Sequence, residues 1–164
     1  MKFPRAVRLD ESDTQVYANP AVPGEWAVPG SFVFVDKNPA ELANKELQAF
    51  GHGFLGVGSF GWSTLVEVAE IAEQEYRQVI GRLAEHFVEH YGAPDLATAL
   101  PAAREEASFA ASICEHAPHT LLMLERESSE EGIVERFKVV RPNAADHSNI
   151  KLWELVEEEQ KRGD

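Results

Sequence analysis

The strongest pattern in the chain is a series of apolar residues that recur three and four positions apart in its middle third. At about 100° per residue these positions fall on one side of an α-helix. Thr64 and Glu67 have the spacing of a capping box, and Gly92 followed by Pro94 is typical of a helix end. The pattern therefore predicts a long helix over about residues 64–91. Its apolar stripe consists of Leu65, Ala69, Ala72, Tyr76, Val79, Ile80, Leu83, Phe87 and Tyr91.

The beginning of this helix has a second interpretation. Residues 60–68 also fit a strand, and the helix would then begin near Ala72. The stripe continues without a break from Leu65, and for that reason we favour the longer helix. A second helix is predicted over about residues 101–116, because small residues recur on one side of it. Such a row allows close approach, so we expect the two helices to pack as a hairpin.

Shorter apolar segments predict strands. Residues 6–9 and 15–18 fit a hairpin with a polar loop, and residues 31–36 fit a central strand that is apolar on both faces. Residues 39–47 begin with a proline at the first helical position and predict a short helix. Residues 119–126 and 133–140 fit a second hairpin. The order of these elements predicts an α+β fold, in which an antiparallel sheet packs against the helix pair.

The end of the chain has a helical pattern of its own. Apolar residues at Ile150, Leu152, Trp153 and Val156 lie above an acidic face, which predicts an amphipathic helix over about residues 149–162. We therefore predict one globular domain over residues 1–145 and a C-terminal amphipathic segment over residues 146–164. This segment docks either on the domain itself or on a partner, for which Ile150, Trp153 and Val156 are the candidate binding residues.

Composition narrows the classes of function. The chain has 164 residues, enough to bury a real core in one domain. Its formal charge of −13 argues against binding to DNA, RNA or an anionic membrane, since each requires a basic surface. The lone cysteine, Cys114, excludes an internal disulfide and suits a reducing compartment. Without a signal-peptide pattern or an apolar run of membrane-spanning length, the chain is expected to be soluble and cytoplasmic.

A glycine-rich run over residues 51–61 is the first candidate for chemistry. A glycine loop that ends at a helix N-terminus presents free N–H groups to an anion, and the run satisfies the G-x-G-x-x-G pattern twice. It also fits a P-loop, except that Trp62 stands where the lysine belongs. We favour a structural turn, because the strand that a dinucleotide site needs before the glycines is not predicted. The candidate anion-binding residues are Gly56, Gly58, Gly61 and Ser63.

The second candidate is the sequence from His86 to His90. Histidines four positions apart project from one side of a helix and can share a divalent metal ion. Glu89 between them could act as a general base on metal-bound water, and H-x-x-E-H is the signature of the inverzincin metallopeptidases. The third metal ligand is unknown. The competing interpretation is that His86 and His90 are half-buried packing residues near the C-terminal end of the helix.

These observations leave two classes of function open. The first is a non-enzymatic protein-interaction or accessory domain, favoured by the acidity and by the absence of a complete catalytic motif. The alternative is a small metal-binding protein or metal-dependent hydrolase built on His86, Glu89 and His90, and a further alternative is anion or nucleotide binding at residues 51–63. We predict no cofactor, with a divalent metal as the exception under the alternative. A protein partner or self-association is expected, without nucleic acid or membrane.

Overall fold

The computed structural model describes residues 1–142 and the backbone of residues 153–163. In this part of the chain, four α-helices and eight strands form a mixed α+β fold with two antiparallel sheets, which confirms the predicted fold class. No helix in the same residues is long and apolar enough to cross a membrane. The elements in chain order are β1 (Lys2–Val7), α1 (Ser12–Val16), β2 (Ala27–Val28), α2 (Asn44–His52), β3 (Phe54–Gly56), β4 (Trp62–Ser63), β5 (Leu65–Glu70), α3 (Glu73–His90), α4 (Leu96–Ser112), β6 (Leu121–Ser129), β7 (Gly132–Pro142) and β8 (Trp153–Gly163).

The larger sheet has the strand order β1-β5-β6-β7-β8, and the smaller has the order β2-β3-β4. The predicted hairpin is confirmed as β6 and β7, which pair from Leu121 opposite Val140 to Ser129 opposite Gly132. The predicted helix pair is confirmed as α3 and α4, with the buried alanines of α4 in contact with the apolar side of α3. Alanines expose no bulky side chain, so the two helices can pack closely.

The prediction of one helix over residues 64–91 is wrong in its first part. Leu65–Glu70 is a strand between β1 and β6, and the helix begins at Glu73. The second interpretation, with the helix starting near Ala72, describes the chain better. Val66 and Val68 alternate with less buried neighbours, and β-branched residues suit a pleated sheet with a partner on each side. Hydrogen bonding to strands on both sides stabilises residues 65–70 as a strand, although their apolar spacing also fits a helix.

Three predictions near the N-terminus also differ from the structure. Residues 12–16 form the short helix α1, so the predicted hairpin of residues 6–9 with 15–18 does not form, and β1 pairs instead with β5. The predicted central strand over residues 31–36 is a single 3-10 turn, Ser31–Phe34, which follows Gly30 in the left-handed conformation. The predicted helix at residues 39–47 is a 3-10 turn, Pro39–Glu41, followed by α2. The second long helix begins earlier than predicted, at Leu96, where Asp95 caps it.

The predicted C-terminal helix is also wrong, because Trp153–Gly163 is a strand that pairs with β7. The register places Val156 opposite Val139 and Leu155 opposite Val140. It also places residues of opposite charge across from each other, Glu154 with Arg141 and Arg162 with Glu135. A long neighbour strand with an available edge outweighs helix propensity. The predicted domain boundary at residue 145 stays a prediction.

Candidate functional site

The glycine-rich run begins in the last residues of α2 and continues through β3, and its last part, residues 57–61, forms a tight turn between β3 and β4 that encloses the carboxylate of Glu25. The backbone N–H groups of Gly58 and Ser59 donate to Oε1 of Glu25 at 2.8 and 2.9 Å, and the Ser59 hydroxyl donates to Oε2 at 2.7 Å. The N–H of Val22 donates to Oε2 at 2.6 Å. Converging N–H groups of this kind are the usual cradle for an anion. Here the anion is a side chain of the protein itself.

The candidate anion-binding residues therefore have structural roles in this turn. A Cβ at Gly56 would lie 2.4 Å from the Glu25 carboxyl carbon, and one at Gly61 would lie 2.5 Å from the carbonyl oxygen of Pro20. Glycine is needed at position 61 because backbone atoms lie too close for a side chain, whereas a side chain at position 56 would push the Glu25 carboxylate out of the turn. The hydroxyl of Ser63 is buried and donates to the carbonyl of Leu65 at 2.7 Å. A bound phosphate would have to displace the Glu25 carboxylate.

The turn packs against α3 at the histidine motif, so the two candidate sites of the sequence lie together. Phe60 has a φ of +54°, an unusual conformation for a bulky residue. Its ring stacks on the ring of His86, with centroids 3.7 Å apart and planes 2° from parallel. Arg82 donates to the carbonyl of Gly58 at 2.9 Å. The stacking and the hydrogen bond attach the glycine turn to the helix.

The histidine motif brings together two of the ligands that a metal ion would need. The rings of His86 and His90 have centroids 4.8 Å apart, and the Glu89 carboxylate lies 3.8 Å from Nε2 of His90. Burial lowers the pKa of His86; neighbouring His90 and Arg82 lower it too, against the opposing charge of Glu89. Residues 1–142 contain no group of three histidine, cysteine, aspartate or glutamate side chains that could hold a metal ion.

Sequence reasoning missed the buried ion pair of Arg126 and Glu135. The Arg126 side chain is 0% exposed and donates to the Glu135 carboxylate at 2.9 Å. Burial lowers the pKa of Arg126, and the charge of Glu135 opposes this effect. The remaining donors of the guanidinium reach the backbone carbonyls of Pro29 at 2.6 Å, Phe50 at 2.7 Å, Ala49 at 3.2 Å and Gly53 at 3.3 Å. One side chain thus connects the hairpin of β6 and β7 to the C-terminal end of α2.

A signal for this pair exists in the sequence. Arg126 follows Leu122 and Leu124 at intervals of two, and Glu135 precedes Phe137 at the same interval. Alternate residues of a strand share a face, so both charges fall on the buried face of the hairpin. A charged residue at such a position needs a buried partner, and two opposite charges directly across from each other on the two strands of one hairpin indicate an ion pair.

The candidate partner residues fall at the end of the larger sheet. Trp153 and Val156 lie in β8, at register positions opposite Pro142 and Val139, whereas Ile150 lies outside the described residues. Among the strands that the structure describes, β8 is the last of the sheet and has β7 as its neighbour on one side.

The opposite edge of the sheet is β1, and it is partly covered. The N–H of Ala6 donates to the carbonyl of Glu25 at 2.8 Å, and the N–H of Gly24 donates to the carbonyl of Ala6 at 2.8 Å. An isolated bridge also joins Arg5 and Trp26. Within residues 1–142 and 153–163, the outer side of β8 is therefore the more open edge of this sheet.

Comparison with known proteins leads to a family without an assigned activity. No curated protein and no solved structure matches the chain. A profile of a family of unknown function, DUF6505, matches residues 1–157, which is nearly the whole chain. The protein therefore belongs to the family of unknown function DUF6505.

Proposed function

We propose that this protein is a non-enzymatic protein-interaction or accessory domain, and that its docking element is the outer edge of β8. The observation that carries the proposal is the position of β8, an eleven-residue strand at the end of the five-stranded sheet. An edge strand presents backbone N–H and C=O groups that an extended segment of another protein can pair with. The opposite edge, β1, presents fewer available backbone groups because the segment around Glu25 forms hydrogen bonds with part of it.

The sequence of β8 limits what can pair there. The strand contains four glutamates against one lysine and one arginine. Its register is interrupted where residues 157–159 face Lys138, which leaves residues 153–156 and 160–163 as its regular parts. Charged residues and a bulge hinder indiscriminate edge-to-edge association. The partner we propose is therefore an extended segment with basic residues, placed opposite these glutamates.

The test uses a peptide whose residues alternate between apolar side chains and lysine, with the length of β8. A matched peptide with glutamate in place of lysine is the control. We expect the basic peptide to bind, in a fluorescence titration, more tightly than the acidic one. Amide hydrogen exchange should slow in residues 153–163 when the peptide is bound.

Two proline variants locate the contact. Successive residues of an antiparallel strand point their N–H groups to opposite sides, so L155P and V156P remove one inward and one outward donor. We expect one variant to lower the melting temperature through the contact with β7. The other variant should keep its melting temperature and lose peptide binding. Binding that survives in both variants, or exchange in β8 that is unchanged by the peptide, would rule out this edge as the docking element.

Metal binding is the second candidate, and the 4.8 Å between the rings of His86 and His90 favours it. These two side chains could supply a weak site for a divalent ion, with water as the further ligands. Elemental analysis of untagged protein purified without chelators tests it. About one equivalent of zinc, lost in a folded His86→Ala, His90→Ala variant, would support a metal-dependent function. Protein that contains no metal and takes none up on titration would leave His86 as a residue that packs on Phe60 and His90 as an exposed residue.

We also propose the cytoplasm as the compartment of the protein, supported by the single reduced cysteine Cys114, which is buried in the core. Cell fractionation with the tagged full chain tests this, and recovery with an extracytoplasmic fraction would contradict it.

A further inference from the structure

No contact within the described residues requires a glycine at position 81, in the middle of α3. A Cβ at this position would meet no heavy atom within 4 Å, and the backbone here is ordinary helix. Glycine inside a helix is less favourable than alanine, because it loses more conformational freedom on folding. Gly61 in the turn is required by the backbone atoms close to it, whereas a Cβ at Gly81 would meet no such neighbour. Because position 81 has no side chain, the backbone of another molecule can approach α3 closely at this point.

The surface around Gly81 has the shape of a helix-packing face. Gln74, Arg77, Gln78 and Glu85 lie on the same side of α3 and are exposed. A groove of about 430 Å³ between α3 and the segment around Trp26 opens on this face, and Gln78, Gly81 and Glu85 line it. A second groove, of about 620 Å³, lies between α3, α4 and the start of the chain. A groove at a position without a side chain can accept a ridge of side chains from another helix.

The charges on this face are arranged symmetrically about Gly81. Arg77 precedes it by four residues and Glu85 follows it by four. At about 1.5 Å per residue, each charge lies about 6 Å from Gly81 along the helix axis, in opposite directions. A two-fold axis that makes two copies of α3 antiparallel at Gly81 places each Arg77 level with Glu85 of the other copy. Both ion pairs form at once, because the two sides of a two-fold contact are identical.

We propose that α3 is a self-association surface, on which two copies of the protein pack antiparallel with their helices crossing at Gly81. A second copy fits better than an unrelated partner, since the face is complementary to itself in charge. The high negative charge of the chain opposes random contact between copies. The paired Arg77 and Glu85 supply attraction at one defined place. This surface is separate from the edge of β8, so the proposal does not depend on the proposed function.

The test is a charge exchange measured by sedimentation at physiological ionic strength. Wild type is expected to dimerise in a concentration-dependent way. The single variants R77E and E85R place like charges together, and we expect each to weaken the dimer by about tenfold or more. The double variant R77E/E85R restores opposite charges across the two-fold axis and should recover the dimer. K45E, on the exposed side of α2 and outside both grooves, is the control for the change in net charge.

Gly81→Ala gives an independent readout. In the free chain it should raise the melting temperature, because alanine favours the helix, and it should weaken the dimer by holding the helices apart. Since Arg77 also pairs with Glu73 in its own helix, melting curves of the charge variants check that α3 remains folded. The proposal fails if wild type stays monomeric up to about millimolar concentration. It also fails if the single variants dimerise like wild type, as a contact through β8 would predict, or if the double variant does not recover.

Discussion

Replacing Arg126 with methionine should destabilise this protein more than any surface substitution of comparable size. Methionine keeps much of the length and the apolar stem of arginine but removes the charge and all the hydrogen-bond donors. In the native protein the guanidinium neutralises the buried Glu135 and donates to carbonyls at the end of α2. It also lies over the ring of Phe34, with Cζ 5.4 Å from the centroid. The substitution leaves a carboxylate in the core without this cation.

The magnitude follows from the burial of both partners, which are 0% and 1% exposed. Removing one member of a buried ion pair typically costs about 3–5 kcal/mol, because the remaining charge loses its partner but not its desolvation. The carbonyls of Pro29, Ala49, Phe50 and Gly53 lose a donor as well, so the upper part of that range is expected. Domains are stable by about 5–15 kcal/mol in total. R126M should therefore remove roughly a quarter or more of the stability.

Urea denaturation followed by tryptophan fluorescence and circular dichroism measures the change in free energy of unfolding. R136M is the matched control, because Arg136 pairs with Glu127 on the same hairpin at 2.8 Å but both side chains are partly exposed. That variant should lose about 1 kcal/mol or less. R126M/E135L should be more stable than R126M, since no charge is left in the core. A loss below about 1 kcal/mol in R126M, equal to the control, would refute this account of the core.

Three further outcomes are expected. E25A should lower the melting temperature by removing the acceptor for Gly58 and Ser59, and added formate should restore part of the loss in E25A but not change wild type. Because the pKa of His86 is lowered in the folded state, its unfolded form binds more protons. Stability should therefore fall as the pH drops from above about 6.5 towards the folded pKa, and H86N should flatten this dependence in melting curves. Burial raises the pKa of Cys114 to about 12, so a thiol reagent should react with it only as fast as the protein unfolds.

The sequence was sufficient for the fold class and for elements with strong local signals. The hairpin of β6 and β7 follows from alternation on either side of a glycine turn, and the pair of α3 and α4 follows from apolar stripes that end at recognisable stops. Where the local pattern fits both a helix and a strand, pairing with adjacent strands determines which of the two forms. Residues 65–70 fit helix and strand alike, and the strand forms because β1 and β6 pair with it on both sides. Residues 153–163 differ from prediction for the same reason, with β7 as the neighbour.

The candidate sites show a different limit of sequence reasoning. The glycine turn and the histidine motif were both recognisable, but their contact through Phe60 and His86 depends on how β3 and β4 lie against α3. Glu25 carries no motif, and its role is visible only when the carboxylate is found inside the turn. Partners far apart in sequence cannot be deduced from spacing, because their meeting is a property of the packed chain. Only Arg126 and Glu135 could have been noticed, from charges on the buried face of a hairpin.

The position of Glu25 also changes what the glycine turn implies about function. A loop that waits for a phosphate keeps its N–H groups available and places basic residues nearby. In this protein a carboxylate accepts those N–H groups, and a neighbouring cation, Arg82, donates to the carbonyl of Gly58. Exchange of Glu25 for an external anion would break hydrogen bonds within the chain before forming new ones. The restored melting temperature of E25A in formate would show that the turn can bind an anion, whereas an unaffected wild type would show that Glu25 already occupies the place.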